Sequence, residues 1–249
     1  MLKEERQNII LNEVRIHNRV LLNDLAAQLG VSEDTVRRDL KELDTLGRVK
    51  KVHGGAISKG YHLYSYREQE IYAHEHKVLI AKKAMTLLKD GQVVLISGGT
   101  TNLELARLIP KQLKATFFTP SLTTALQLLS HPNIETIFIG GKLSREAQIA
   151  IGGNVVNLLS QIKADICFPG TSYLDVRHGL SDFDWEVVQM KKAMINAAKQ
   201  TVAMGISEKL NSFNKYQVCD IEDINYLITE LDSRHELLEP YKNQGLSIL

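Results

Sequence analysis

Apolar residues in the first sixty positions recur at helical spacing, broken by turn formers. Ile10 and Val14, with Ile9 on the adjoining edge, predict a first amphipathic helix running to about His17. Leu22, Leu25, Ala26 and Leu29 fall at i, i+3, i+4 and i+7, a continuous stripe. Gly30 stops that helix, since glycine accepts the left-handed backbone found just past a helix end. Ser32 then stands where its hydroxyl can accept from a free N–H near Thr35 and cap a third helix. Val36, Leu40 and Leu43 share one side of it, and Glu33, Thr35, Arg37, Arg38 and Lys41 take the others. Two short helices around a glycine-containing turn are the helix-turn-helix arrangement.

Past Gly47 the period changes. Arg48-Val49-Lys50-Lys51-Val52-His53-Gly54-Gly55 alternates apolar and basic residues and predicts a two-stranded wing. Ser58 through Tyr66 shows no period and reads as a connector. A helix over 74–89 follows, with Val78, Ala81, Ala84, Met85 and Leu88 on one side. From Gly91 onward, strand candidates at 93–97, 116–119, 134–140, 166–169, 202–205 and 226–229 alternate with helical stretches at 103–109, 122–130, 155–161 and 185–199. That alternation predicts a parallel sheet with helices on both faces. The expected architecture is α/β: an N-terminal winged helix-turn-helix over 1–57, a linker over 58–73, and a C-terminal parallel-sheet domain over 74–249.

Charge sharpens the first domain. The net charge of +1 describes no polycation, but from Arg37 to Lys51 six Lys and Arg residues stand against three acids, Asp39, Glu42 and Asp44. A local basic face is what DNA binding requires. Arginine forks at 37 and 38 suit phosphates or guanine edges. The candidate DNA-contacting residues are Ser32, Glu33, Thr35, Arg37, Arg38, Lys41, Arg48, Lys50, Lys51 and His53.

Placement picks out the second set. In open parallel sheets ligands bind outside the carboxyl ends of the strands. Gly98, Gly99, Thr100 and Thr101 follow the first strand, and Thr119 and Ser121 the second. Gly140, Gly141 and Lys142 follow the third, Gly170 the fourth and Lys209 the fifth, while Glu186 opens the long helix. Free backbone N–H groups at a glycine-rich helix start cradle phosphate, and two lysines among polar loops favour an anionic polyol such as a sugar phosphate. The first loop lacks the Gly-Lys-Ser/Thr ending of a Walker A motif and the GxGxxG of a dinucleotide site. Asp182 and Asp184 read as the solvated start of a helix, and Trp185 as a packing residue.

Composition bounds the remainder. Hydrophobic residues at 44% and charged residues at 24% over 249 positions suit a soluble two-domain chain. No apolar run approaches the ~20 residues of a membrane span, and Met1 to Arg6 has no signal core, so a cytoplasmic location is expected. Cys167 and Cys219 lack partners at ligand spacing, and His74 and His76 are too close to share a helical face. Buried free thiols, no metal and no cofactor are expected.

The run Val31-Ser32-Glu33-Asp34-Thr35-Val36-Arg37-Arg38-Asp39-Leu40, then Gly47 and His53-Gly54-Gly55-Ala56, resembles the DNA-binding signature of DeoR-family regulators. The resemblance implies that the third helix enters the major groove of a double-stranded operator. The remaining chain resembles that family's effector domain, similar in fold to ribose-phosphate isomerase, glucosamine-phosphate deaminase and CoA transferases. By position, Gly99-Thr100-Thr101 resembles the phosphate loop, and Ser121, Gly140-Gly141 and Gly170 match the later loops. Glu186 matches the acid before the long helix, and Lys209 the lysine after the fifth strand. Ser97, Pro120 and Ile206 stand where the family pattern has an acid, an asparagine and an aspartate, and Glu230 replaces an aspartate. These exchanges remove polar groups that could hold sugar hydroxyls.

The expectation is a transcription repressor of sugar or carbohydrate metabolism genes, a homodimer or homotetramer released from DNA by a phosphorylated sugar-like effector. One alternative is a DNA-binding oligomer whose second domain no longer senses. The other is a phosphosugar isomerase or deaminase, disfavoured because Ser97 and Ile206 stand where a proton-transferring carboxylate is needed.

Overall fold

Residues 1–58, 71–145 and 147–249 are described by the structure, a computed structural model. The expected linker falls mostly on 59–70, outside the described residues. The chain divides into two compact units, Met1–His74 and Glu75–Leu249.

The first unit runs α1 (Lys3–His17), β1 (Arg19–Leu21), α2 (Leu22–Leu29), α3 (Glu33–Thr45), β2 (Lys50–Val52) and β3 (Gly55–Ile57). Ile10, Val14, Leu25, Leu29, Val36, Leu40, Leu43 and Val49 form its core, so the helical stripes face one another. Gly30 ends α2 at φ 64°, and the Ser32 hydroxyl accepts from the Thr35 N–H at 3.3 Å. A cap of this kind contributes about 1 kcal/mol. The wing has three antiparallel strands in the order β1-β3-β2, where the alternation had indicated two. Only glycine permits that pairing at position 55: a Cβ there would lie 1.9 Å from the carbonyl oxygen of Val20.

The second unit begins with α4 (His74–Met85), β4 (Val93–Ile96), α5 (Thr100–Leu108), β5 (Ala115–Thr119), α6 (Leu122–Leu128) and β6 (Ile134–Phe138). A hairpin of β7 (Lys142–Leu143) and β8 (Ala150–Ile151) precedes α7 (Gly153–Leu159) and β9 (Ile166–Phe168). Next come β10 (Tyr173–Asp175), β11 (Gly179–Asp182), α8 (Trp185–Asn196), β12 (Val202–Met204), β13 (Tyr216–Cys219) and β14 (Tyr226–Ile228). The short α9 (Glu239–Asn243) and β15 (Ser247–Ile248) close the chain.

Strands β6-β5-β4-β9 form one parallel sheet and β12-β14-β15 another, joined by an isolated parallel bridge between Cys167 and Thr201. The expected parallel sheet is therefore present. Val94, Leu95 and Ile96 of β4 and all three residues of β9 are fully buried, as expected for central strands covered on both faces. The chain leaves β4 toward β5 and β6, then returns to lay β9 on the other side of β4. A crevice opens at such a switch point, outside the carboxyl ends of the two strands. Two features depart from expectation: β10-β11-β13 form a separate antiparallel sheet, and α4 and α8 stop at Met85 and Asn196. Both cysteines are buried and free, and burial raises both thiol pKa values. Among the described residues no helix is long and apolar enough to cross a membrane.

Candidate functional site

Two surfaces carry chemistry, one in each unit. In the first, Ser32, Glu33, Arg37, Arg38 and Lys41 are exposed on or beside α3, with Thr35 half-buried at its start. Arg48, Lys50, Lys51 and His53 are exposed on the wing. The three nearby acids are all engaged. Asp39 is buried and accepts from Arg6 Nε at 2.5 Å and Nη2 at 3.1 Å, a two-pronged pair from α1. Glu42 pairs with Lys3 at 2.6 Å, which holds its carboxyl below the usual range. Asp44 accepts the Lys51 N–H at 3.0 Å. Their charge is thereby committed to α1 and the wing backbone. Arg37 is tethered to Asp34 and Glu33 on its own helix, whereas Arg38 and Lys41 make no ion pair among the described residues.

In the second unit the loops meet at the β4/β9 switch point. Gly99 precedes α5 at φ 109° with no side-chain cap. The first N–H groups of a helix have no partner within it, so those at Thr100 and Thr101 are available to an acceptor. Asn102 Nδ2 donates to the carbonyls of Ser97, Gly98 and Phe168 at 3.0–3.2 Å, fastening the loop after β4 to the end of β9. Gly170, at φ 78°, lies so close that a Cβ would sit 3.0 Å from Gly98 O. From the other side Ser121 caps α6, and a Cβ on Gly98 would meet its hydroxyl at 3.1 Å. The Ser121 N–H is held by Thr119 Oγ1 at 3.1 Å. Lys209 donates to the Thr171 carbonyl at 2.7 Å and is 8% exposed.

Gly98, Gly99, Thr100, Thr101, Thr119, Ser121, Gly170 and Lys209 thus belong to one linked set of loops. Lys142 and Glu186 instead pair with each other at 3.0 Å on the surface. Gly140 and Gly141 are exposed beside them, and packing accounts for Gly141: a Cβ would lie 2.6 Å from Val155.

Two sequence readings need correction. Asp182 is no solvated helix start; it is buried and bonded to Lys191 Nζ at 2.8 Å and to the Ser172 hydroxyl at 2.7 Å. Burial opposes its ionisation, but Lys191, Ser172 and the Phe183 N–H hold the carboxyl below its usual range. Asp184, by contrast, caps α8 as the sequence suggested. Trp185 is 57% exposed, its ring edge-on to Tyr216.

Sequence reasoning also missed Lys77 and Lys191, both buried. Burial pushes Lys209 down to about 7, with the charges of Lys77 and Lys191 adding to the effect and Asp182 opposing it. Burial likewise pushes Lys77 down to about 8, against the attraction of Glu104 and Glu208. A usable signal existed. Lys77 shares helical register with Ile80, Ala81 and Ala84, and Lys191 with Val187, Met194 and Ile195. A lysine inside an apolar stripe marks a buried charge.

A family model described as the DeoR C-terminal sensor domain matches residues 72–231, and one for the DeoR-like helix-turn-helix domain matches 6–60. The chain is 30% identical to the HTH-type transcriptional regulator GolR of Listeria innocua, over 98% of this chain and 97% of that protein. It is also 30% identical to the HTH-type transcriptional repressor GlcR of Bacillus subtilis, over 100% of this chain and 96% of that one. Among solved structures, ribose 5-phosphate isomerase A of Methanocaldococcus jannaschii is a loose likeness. Its TM-score is 0.41 at 18% identity, over 54% of this chain and 53% of that one.

Proposed function

The chain belongs to the DeoR family of DNA-binding transcriptional regulators, and we propose that its second unit senses a phosphorylated sugar-like effector that releases the first unit from its operator. It is a regulator rather than an enzyme. What supports an anionic effector is Lys209. A buried ammonium without a counter-charge costs several kcal/mol unless it loses its proton or meets an anion. Lys209 has only the Thr171 carbonyl as hydrogen-bond partner among the described residues, one residue past the Gly170 that packs against Gly98 ahead of α5. Such a site is built to receive negative charge.

On this reading the phosphate sits over the N–H groups and hydroxyls of Thr100 and Thr101, with Gly98, Gly99 and Gly170 giving the backbone room. Thr119, Ser121, Gly140, Gly141, Lys142 and Glu186 complete the candidate lining. The functional division is 1–57 for DNA, 58–73 for the link and 74–249 for sensing and assembly. As a cytoplasmic homodimer or homotetramer the protein holds recognition helices about one turn of B-DNA apart, ~34 Å. The exposed residues from Ser32 to Lys41 and from Arg48 to His53 meet the duplex. The named repressor GlcR supports repression as the output. The effector acts only if it binds one quaternary arrangement better than the other.

A thermal-shift screen of phosphorylated sugars and sugar alcohols tests the proposal, since a ligand of the folded state raises its Tm. At least one compound should raise Tm in the wild type and not in Thr100→Asp. A flat profile with intact DNA binding would favour the non-sensing alternative.

A further inference from the structure

Resting on that phosphosugar reading, we propose that the effector carries a second anionic group, a carboxylate, received by Lys209 and Lys191 at the Thr171–Ser172 segment, so that the effector class is a phosphorylated sugar acid. The segment holds two buried ammonium groups side by side. Lys209 donates to Thr171 O at 2.7 Å, and Lys191 donates to the Ser172 hydroxyl at 3.1 Å. Among the described residues one carboxylate serves the two: Asp182 takes Lys191 at 2.8 Å and also accepts from Ser172 and the Phe183 N–H. Lys77 adds a third buried positive charge close enough for Lys209 to feel it. Ser97 and Ile206, buried on either side, bring no carboxylate.

A second observation is independent of the charges. The Thr171 hydroxyl is buried and has no hydrogen-bond partner, on a residue only 7% exposed. A buried polar atom left unsatisfied is costly, and a ligand that supplied the missing bond would remove that cost.

One phosphate does not serve both places. The α5 cradle meets the β9 loop at Gly170, whereas the lysines attach one and two residues further along. At 3.8 Å per residue the second charge is displaced by roughly 4–8 Å. A short polyol chain spans that distance, with phosphate at one end and carboxylate at the other.

The experiment is calorimetric titration of the full chain with matched pairs of four, five and six carbons, each an aldose phosphate and its aldonic acid phosphate. The five- and six-carbon pairs are ribose 5-phosphate with 5-phosphoribonate and glucose 6-phosphate with 6-phosphogluconate. In the pair that binds most tightly the acid should exceed the aldose by about tenfold or more, as a charge-assisted bond in a buried site gives. Lys209→Met should reduce that ratio to about two or less, and Lys209→Arg should restore part of it. Equal affinity within the best-binding pair, or a ratio unchanged in Lys209→Met, overturns the second charge and leaves the phosphosugar reading standing. No binding by any member overturns both.

Discussion

The two units handle charge in opposite ways. In the first, basic side chains lie on the surface of α3 and the wing, and the acids among them are drawn away by Arg6, Lys3 and the wing backbone. In the second, Lys77, Lys191 and Lys209 are buried, and burial lowers the pKa of Lys77 and Lys209. A DNA face has to be exposed because phosphates reach it from outside, and its strength comes from net charge screened by salt. A sensor profits from the reverse. A buried, unpaired charge is costly until the right anion arrives, so the same group that destabilises the empty state discriminates ligands.

The largest effect should come from breaking the compensation in the first unit. Asp39→Ala leaves the mostly buried Arg6 guanidinium unpaired and should destabilise that unit by about 3 kcal/mol, the lower end for breaking a buried pair. Chemical denaturation reads this directly. Arg6→Met combined with Asp39→Leu should recover most of the loss; no recovery would mean that the pair does something other than match charge.

Next comes pH. Lys209 sits at about 7 and Lys77 at about 8 in the folded chain, while an exposed lysine titrates near 10.5. Between these values the unfolded chain holds more protons, so stability rises as pH increases from about 7 toward 10. Below about 7 Lys209 is charged in both states and the burial cost is present in full. The groups acting on Lys209 are Lys77 from α4, Lys191 from α8 and Asp182 from β11. Tm measured from pH 6.5 to 9 should climb in the wild type and less in Lys209→Met. Identical slopes would contradict a buried, titrating Lys209.

The smallest effect belongs to the exposed face. Arg38→Ala should weaken operator binding modestly and lower the salt slope by about one phosphate contact, with unit stability unchanged. Affinity and slope equal to the wild type at matched salt would move the docking face away from α3.

The same contrast explains what sequence could show. Stripes at helical period, the Gly30 stop and the Ser32 cap are local, and each has its expected place in the structure. The parallel order follows from alternating strands and helices. Local pattern cannot show pairings between distant short pieces. Arg6 meets Asp39 across 33 positions, and β1 joins the wing from the far side of α2. The antiparallel β10-β11-β13 sheet is likewise made of strands of three or four residues. Asp182 looked like a helix-start acid because Lys191, its partner, lies nine positions on and inside an apolar stripe. The sensor loops were legible as loops, but their charge balance was not.

The most direct test of the switch joins the two units. Operator release can be followed by fluorescence anisotropy, using a duplex selected from a random pool and an effector taken from the thermal-shift screen. The wild type should leave the duplex as effector is added, while Thr100→Asp binds the duplex equally well and stays on it at every effector concentration. Release of Thr100→Asp at the wild-type effector concentration would contradict control of DNA binding through the β4/β9 switch point.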